Sequence, residues 1–148
     1  NMTQAETHQK RRWQPYNLDH YAQKLVLQNR DTKDILNESH KMRMSVAYGL
    51  ERFWGEHLRL GREKPAKGKY WKSVWDTLEE ILQKADFTLP NDELSWGDTK
   101  RIEAMAQKIW SMPIEKQRIA LMLLTQLCDA LVWWTQRYKI KSSENFDN

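Results

Sequence analysis

The sequence predicts an all-α fold, a single-domain bundle of about five helices. Three observations carry this reading. Apolar residues recur at steps of three and four along most of the chain, the spacing that gathers them on one face of a helix. No segment alternates strictly between apolar and polar residues with β-branched enrichment, and there is no internal repeat or low-complexity tract. At 148 residues with 40% apolar content, the chain fits one domain around one core and needs no staple.

Taken in order, residues 1–16 are polar, with Lys10-Arg11-Arg12 beside Trp13 and Pro15, and read as a mobile basic arm. Asn17 is a helix cap for a segment from Leu18 that presents Tyr21, Ala22, Leu25, Val26 and Gln28. From Thr32 to Leu60 the stripe Ile35, Leu36, Met42, Val46, Leu50, Phe53, Trp54 and Leu58 is helical. Gly49 and Gly55 weaken it and mark a bend or a close contact. Whether residues 17–60 form one helix or two is left open by the pattern. Residues 61–69 read as a basic loop, because Pro65 and two glycines stop a helix.

The clearest amphipathic helix spans 70–85, through Trp71, Val74, Trp75, Leu78, Ile81, Leu82 and Ala85. An acidic loop follows over 86–98. Asp98 or Thr99 then caps a helix carrying Ile102, Met105, Ala106, Ile109 and Trp110. Pro113 opens the last helix, with Glu115 near its positive end, and that helix runs to about Tyr138. Its wide apolar face makes it the expected most buried helix. The bundle domain is thus 17–138, and 139–148 is a polar tail.

Composition excludes several function classes. The single cysteine, Cys128, forms no internal disulfide and rules out a four-cysteine zinc site. His8, His20, His40 and His57 do not pair at ligand spacing, and five glycines leave little room for a phosphate loop. No metal and no cofactor are expected. No run approaches the ~18 consecutive apolar residues of a spanning helix, so no membrane partner is expected. Met2 reads as an initiator methionine after one extra residue, the first 17 residues lack a signal-peptide stretch, and a cytoplasmic location is the expectation.

Charge is informative beyond its net value of +4. Residues 41–72 hold nine Lys/Arg against three acids, residues 76–98 one lysine against seven acids, and residues 99–141 eight cations against three acids. Segregation of this kind produces local fields larger than the net charge suggests. The nine cations of the first window, Lys41, Arg43, Arg52, Arg59, Arg62, Lys64, Lys67, Lys69 and Lys72, are the candidate nucleic-acid contacts. Flexible cations of this type neutralise phosphates without reading sequence.

Tryptophan is the compositional oddity, at 13, 54, 71, 75, 96, 110, 133 and 134. Bases of single strands stack on such rings, and cations beside them hold phosphates. Trp54, Trp71, Trp75, Trp110 and Trp134 fall on the apolar stripes and are expected in the core. Trp13, Trp96 and Trp133 are the candidate exposed or interfacial rings.

Two resemblances extend this reading. Arg52-Phe-Trp-Gly-Glu-His57 has the arginine-x4-histidine spacing that resembles the motif of the helical HEPN ribonucleases, though Phe53 stands where that family favours a polar residue. That resemblance implies RNA cleavage with His57 moving protons and Arg52 steadying phosphate charge. The closing segment Ala130-Leu-Val-Trp-Trp-Thr-Gln-Arg-Tyr-Lys139, on a basic helical chain of this length, looks like the small helical subunit of type III CRISPR effector complexes. That resemblance covers size, helix content and about 25 C-terminal residues. It implies a non-catalytic subunit that stacks along a complex and contacts a guide–target duplex through basic side chains. The acidic loop and the tryptophan content depart from that family. The favoured expectation is a non-catalytic subunit contacting nucleic acid, RNA favoured, alongside other protein subunits. The alternatives are a ribonuclease using Arg52 and His57, or a protein-interaction adaptor using exposed tryptophans.

Overall fold

The computed structural model describes residues 15–140. It contains six α-helices, α1 (Pro15–Asn29), α2 (Glu38–Ser45), α3 (Leu50–Glu63), α4 (Pro65–Gln83), α5 (Thr99–Trp110) and α6 (Ile114–Tyr138), with a 3₁₀ turn (Val46–Tyr48) between α2 and α3. The fold class is as the periodicity predicts, with one more helix. No strand occurs among the described residues. The expected arm lies outside them except for Pro15 and Tyr16, which open α1, and the expected tail lies outside them beyond Ile140.

α3 packs along α4, and α1 along α6, while the short α2 lies mainly across α6. The core between them holds Ala22, Val26, Met42, Phe53, Trp54, Tyr70, Trp75, Leu78, Leu124 and Leu131, each essentially free of solvent. Phe53 packs its ring on Trp71 at 4.9 Å and on Trp75 at 6.3 Å, so the aromatic residues of α3 and α4 form the centre.

The stretch from Thr32 to Leu60 is not one helix. Turns occupy 30–37, and Gly49 (φ 97°) ends the 3₁₀ turn and precedes α3. Only glycine adopts that φ without strain. Gly55, by contrast, sits inside α3, which continues through it.

The expected basic loop over 61–69 is wrong: α3 continues to Glu63 and α4 begins at Pro65, leaving Lys64 as the only linking residue. Pro65 occupies the first turn of α4, where its missing N–H costs nothing. Gly68 is not a stop either. A Cβ there would meet the Gly61 backbone N at 2.5 Å, its Cα at 2.6 Å and the His57 carbonyl at 2.9 Å. Gly68 therefore exists so that two helix backbones can meet at the hairpin, a requirement that looks like a breaker in sequence.

α4, not α6, is the most buried helix: Tyr70, Trp71, Val74, Trp75, Leu78, Ile81 and Leu82 are all inside. The reason is position, since α4 packs on α1, α2, α3 and α6. α6 leaves Ile114, Ile119, Met122 and Trp133 exposed. α4 ends with Asp86 at φ 57° and the Phe87 N–H donating to Leu82 O at 3.0 Å, a Schellman closure with aspartate in the place of the usual glycine. The acidic loop that follows is anchored by buried Phe87 and Leu89, and by Trp75 Nε1 donating to Pro90 O at 3.0 Å.

A buried polar junction joins three helices. Ser39 Oγ on α2 shares hydrogen bonds of 2.7 Å with Tyr70 Oη on α4 and 2.7 Å with Thr135 Oγ1 on α6. Burial pushes the Tyr70 phenol up to about 12, so it keeps its proton at any physiological pH.

Two stability measurements test this account. Gly68→Ala should lower urea stability by about 1–3 kcal/mol, as overpacking against rigid backbone does. Gly61→Ala, whose added Cβ meets nothing within 4 Å, should be neutral or stabilising by up to about 1 kcal/mol. Ser39→Ala should cost about 1–3 kcal/mol, read as a fall in the thermal midpoint, because two buried hydroxyls lose their common partner.

Candidate nucleic-acid interface

On α3, Arg52, Glu56, Arg59 and Glu63 follow at steps of four, three and four, which puts them on one face. That face borders a cavity of about 700 Å³, closed on the other side by α2 and the 3₁₀ turn and below by the start of α4. Lys41, Arg52, Arg59, Lys64 and Lys67 line it, together with Met44, Tyr48, Leu60, Trp71, Trp96 and Glu38. Five of the nine candidate cations are therefore brought together, from α2, α3, the linking residue and α4.

The nine divide by what holds them. Arg43 is taken by Asp129 of α6 at 2.5 Å. Arg59 makes a bidentate pair with Glu56 at 2.9 and 2.8 Å, which holds it more firmly protonated. Lys72 reaches Asp76 at 2.5 Å and Asn91 at 2.9 Å, and so pins the acidic loop to α4 instead of facing a ligand. Lys41 and Lys67 place their ammonium groups 3.2 and 3.6 Å from Glu38 Oε2. Arg52 lies 5.7 Å over the Tyr48 ring, and Arg62 lies 5.3 Å over the Trp96 ring. Lys64 and Lys69 have no carboxylate partner among the described residues, and Lys69 does not line the cavity. Exposed pairs such as Arg43–Asp129 are worth little and exchange readily for a phosphate. Lys72, with its several partners, is removed from the candidate set.

Glu38 was not anticipated from the sequence. It is 1% exposed, its Oε1 accepts the Trp71 indole N–H at 3.1 Å, and its Oε2 has charge contacts but no hydrogen bond. Met44 and Tyr48 were also missed. They are 75% and 67% exposed, and they lie off the apolar stripe that the helical spacing picks out.

Arg52 and His57 do not come together within the chain. Five residues along a helix is a rotation of about 140°, and only Arg52 faces the cavity. The His57 Nδ1–H donates to the Trp54 carbonyl, and its ring meets Trp54 edge-on at 5.5 Å. Burial lowers its pKa below the ordinary 6.5, opposed by the Trp54 carbonyl and reinforced by Lys72.

Among the tryptophans, Trp54, Trp71 and Trp75 are buried and Trp134 is half-buried with its Nε1 donating to Asp19 at 3.2 Å. Trp110 is a correction: it is 61% exposed, because α5 packs mainly on α3 and covers only Met105, Ala106 and Ile109. Trp96 and Trp133 are half exposed, as expected, and Trp133 lies under Arg137 at 4.3 Å. Trp13 is outside the described residues. α6 has the length and apolarity to cross a bilayer, with mean hydropathy of 1.2 over its most apolar 18 residues, although charges interrupt any unbroken apolar run. One face of α6 packs inside the bundle. Among the described residues no three His, Cys, Asp or Glu side chains gather at metal-binding range.

Comparison with protein-family models, with curated proteins and with solved structures finds no match to this chain.

His57 gives a pH test of the site's scaffold. The folded state disfavours the imidazolium, so on acidification the unfolded chain takes up this proton first. Stability from His57 should be complete above pH 6.5 and decline as pH falls below it, through the lower folded value. Urea unfolding of His57→Gln at pH 7.5 and pH 5 should show a smaller loss on acidification than the unsubstituted protein.

Proposed function

We propose that the protein is a non-catalytic helical subunit of a larger assembly that contacts nucleic acid, RNA favoured, through the basic cavity of α2, α3 and α4. One observation carries the reading: Lys41, Arg52, Arg59, Lys64 and Lys67, from two helices, the linking residue and the start of a third helix, share one concave surface, with Arg62 on the Trp96 ring. Cations interleaved with exposed rings are the chemistry of single-strand binding, in which rings stack on bases and cations follow the phosphates. Such binding needs no nucleophile or base. His57, the histidine of the ribonuclease alternative, does not line the cavity.

The assembly half of the proposal rests on α6. Ile119, Met122 and Trp133 lie on its outward side, and Trp110 and Ile114 are exposed beside its start. A neighbouring subunit would cover them. A non-catalytic place in an assembly is also what the closing helix's resemblance to the small subunit of type III CRISPR effector complexes implies.

Titration with a short single-stranded RNA from 50 to 200 mM salt tests the reading. The protein should bind with a strongly negative salt slope. Replacing Arg52, Arg62 and Lys64 together by glutamate should flatten that slope by about 2 and weaken binding at least ~10-fold at low salt. Affinity that is indifferent to this triple charge reversal, with the fold intact by circular dichroism, overturns the proposal.

A further inference from the structure

We propose that the cavity between α2 and α3 is a base-reading subsite: it takes one unpaired guanine, edge-on to Glu38, with the flanking phosphates on the rim cations. This inference rests on the nucleic-acid reading above and adds a specificity that the cations alone lack.

Three features point to it. The cavity, about 700 Å³, has room for one nucleotide, and its walls are mostly apolar. Tyr48 and Trp96 offer exposed ring faces at its border, each already flanked by an arginine, Arg52 and Arg62, at cation–π range. A planar heterocycle with an anion at one end fits such walls and such a rim.

The floor supplies the third feature. A buried carboxylate that lacks a hydrogen bond on one oxygen favours a ligand that brings N–H groups. Glu38 accepts one indole N–H on Oε1, while Oε2 has no hydrogen bond and is met only by the ammonium groups of Lys41 and Lys67 at 3.2 and 3.6 Å. Guanine presents N1–H and N2–H side by side, two parallel donors for the two oxygens of one carboxylate. Adenine and cytosine present a single amino group. Uracil flanks its one N–H with two carbonyls, which the carboxylate repels. The ammonium of Lys41, whose side chain is 64% exposed, is free to move from Glu38 to a phosphate as the base enters. Lys67, less exposed, stays beside the carboxylate.

The test uses the full chain and four RNA pentamers, uridine throughout except for a central guanosine, adenosine, uridine or abasic site, with binding measured by calorimetry at 50 mM salt. The guanosine pentamer should bind about tenfold more tightly than the uridine and abasic ones. Glu38→Gln should reduce that preference to less than about twofold. If this buried substitution unfolds the protein, Trp96→Ala, on an exposed ring, should lower the guanosine pentamer's affinity toward that of the abasic one. Equal binding of all four pentamers overturns the subsite while leaving the nucleic-acid reading standing. A guanosine preference that survives in every folded variant also overturns it. No binding of any pentamer overturns both.

Discussion

The placement of α2 depends on the hydroxyl of Ser39. This helix has eight residues, and its buried side chains are Glu38, Ser39 and Met42, so only one of the three is hydrophobic. Burial of that methionine contributes at most about 3 kcal/mol, and the other buried apolar groups, Leu36 and Val46, flank the helix and do not fix its rotation. Position comes instead from direction. The Ser39 hydroxyl joins Tyr70 and Thr135, and one turn's edge away Glu38 accepts from Trp71. Hydrogen bonds add little net stability in water but cost much when a buried partner is left alone. A sliding or rotated α2 would take the Ser39 hydroxyl from Tyr70 and Thr135 and the Glu38 carboxylate from Trp71 at once. The cavity wall is therefore fixed by polar geometry, and the rest of the site inherits that position.

Much of the fold was legible because burial follows helical spacing. Leu78, Leu82, Leu124, Leu127 and Leu131 lie where steps of three and four put them, and all are inside. What failed to read has a common physical origin. Gly68 and Pro65 carry the same signal whether they break a helix or permit one. The difference lies in the partner backbone seven residues away, which no local pattern contains. Trp110 looked like core because its spacing suits a helix packed on several neighbours, whereas α5 leans mainly on one. Glu38 and Ser39 gave no signal at all, since a polar pair at a helix start reads first as a solvated turn.

The charge pattern was legible only in part, and the reason lies in how opposite windows fold onto each other. The acidic stretch follows α4 and returns along it, so Asp76 and Asn91 enclose Lys72. Arg43 is also paired across helices, but with Asp129, an isolated acid of the basic C-terminal window. Segregation along a chain predicts pairing in space wherever the two windows belong to neighbouring elements. Arg52 and Lys64, which line the cavity, are cations without a carboxylate partner among the described residues.

Against that background a buried carboxylate among cations has a definite consequence. Without Glu38, Lys41 and Lys67 would repel each other and extend into solvent, and the cavity floor would carry only apolar groups. With Glu38 the two ammonium groups are drawn in from helices α2 and α4 toward one point. The carboxylate still leaves the lining net positive, because Glu56 and Glu63 are the only other acids against five cations. No acid at all would attract phosphates to any lysine without orientation. In the proposed reading an anion is favoured at the rim and a hydrogen-bond donor at the floor, and a ligand satisfies both only by entering in one direction.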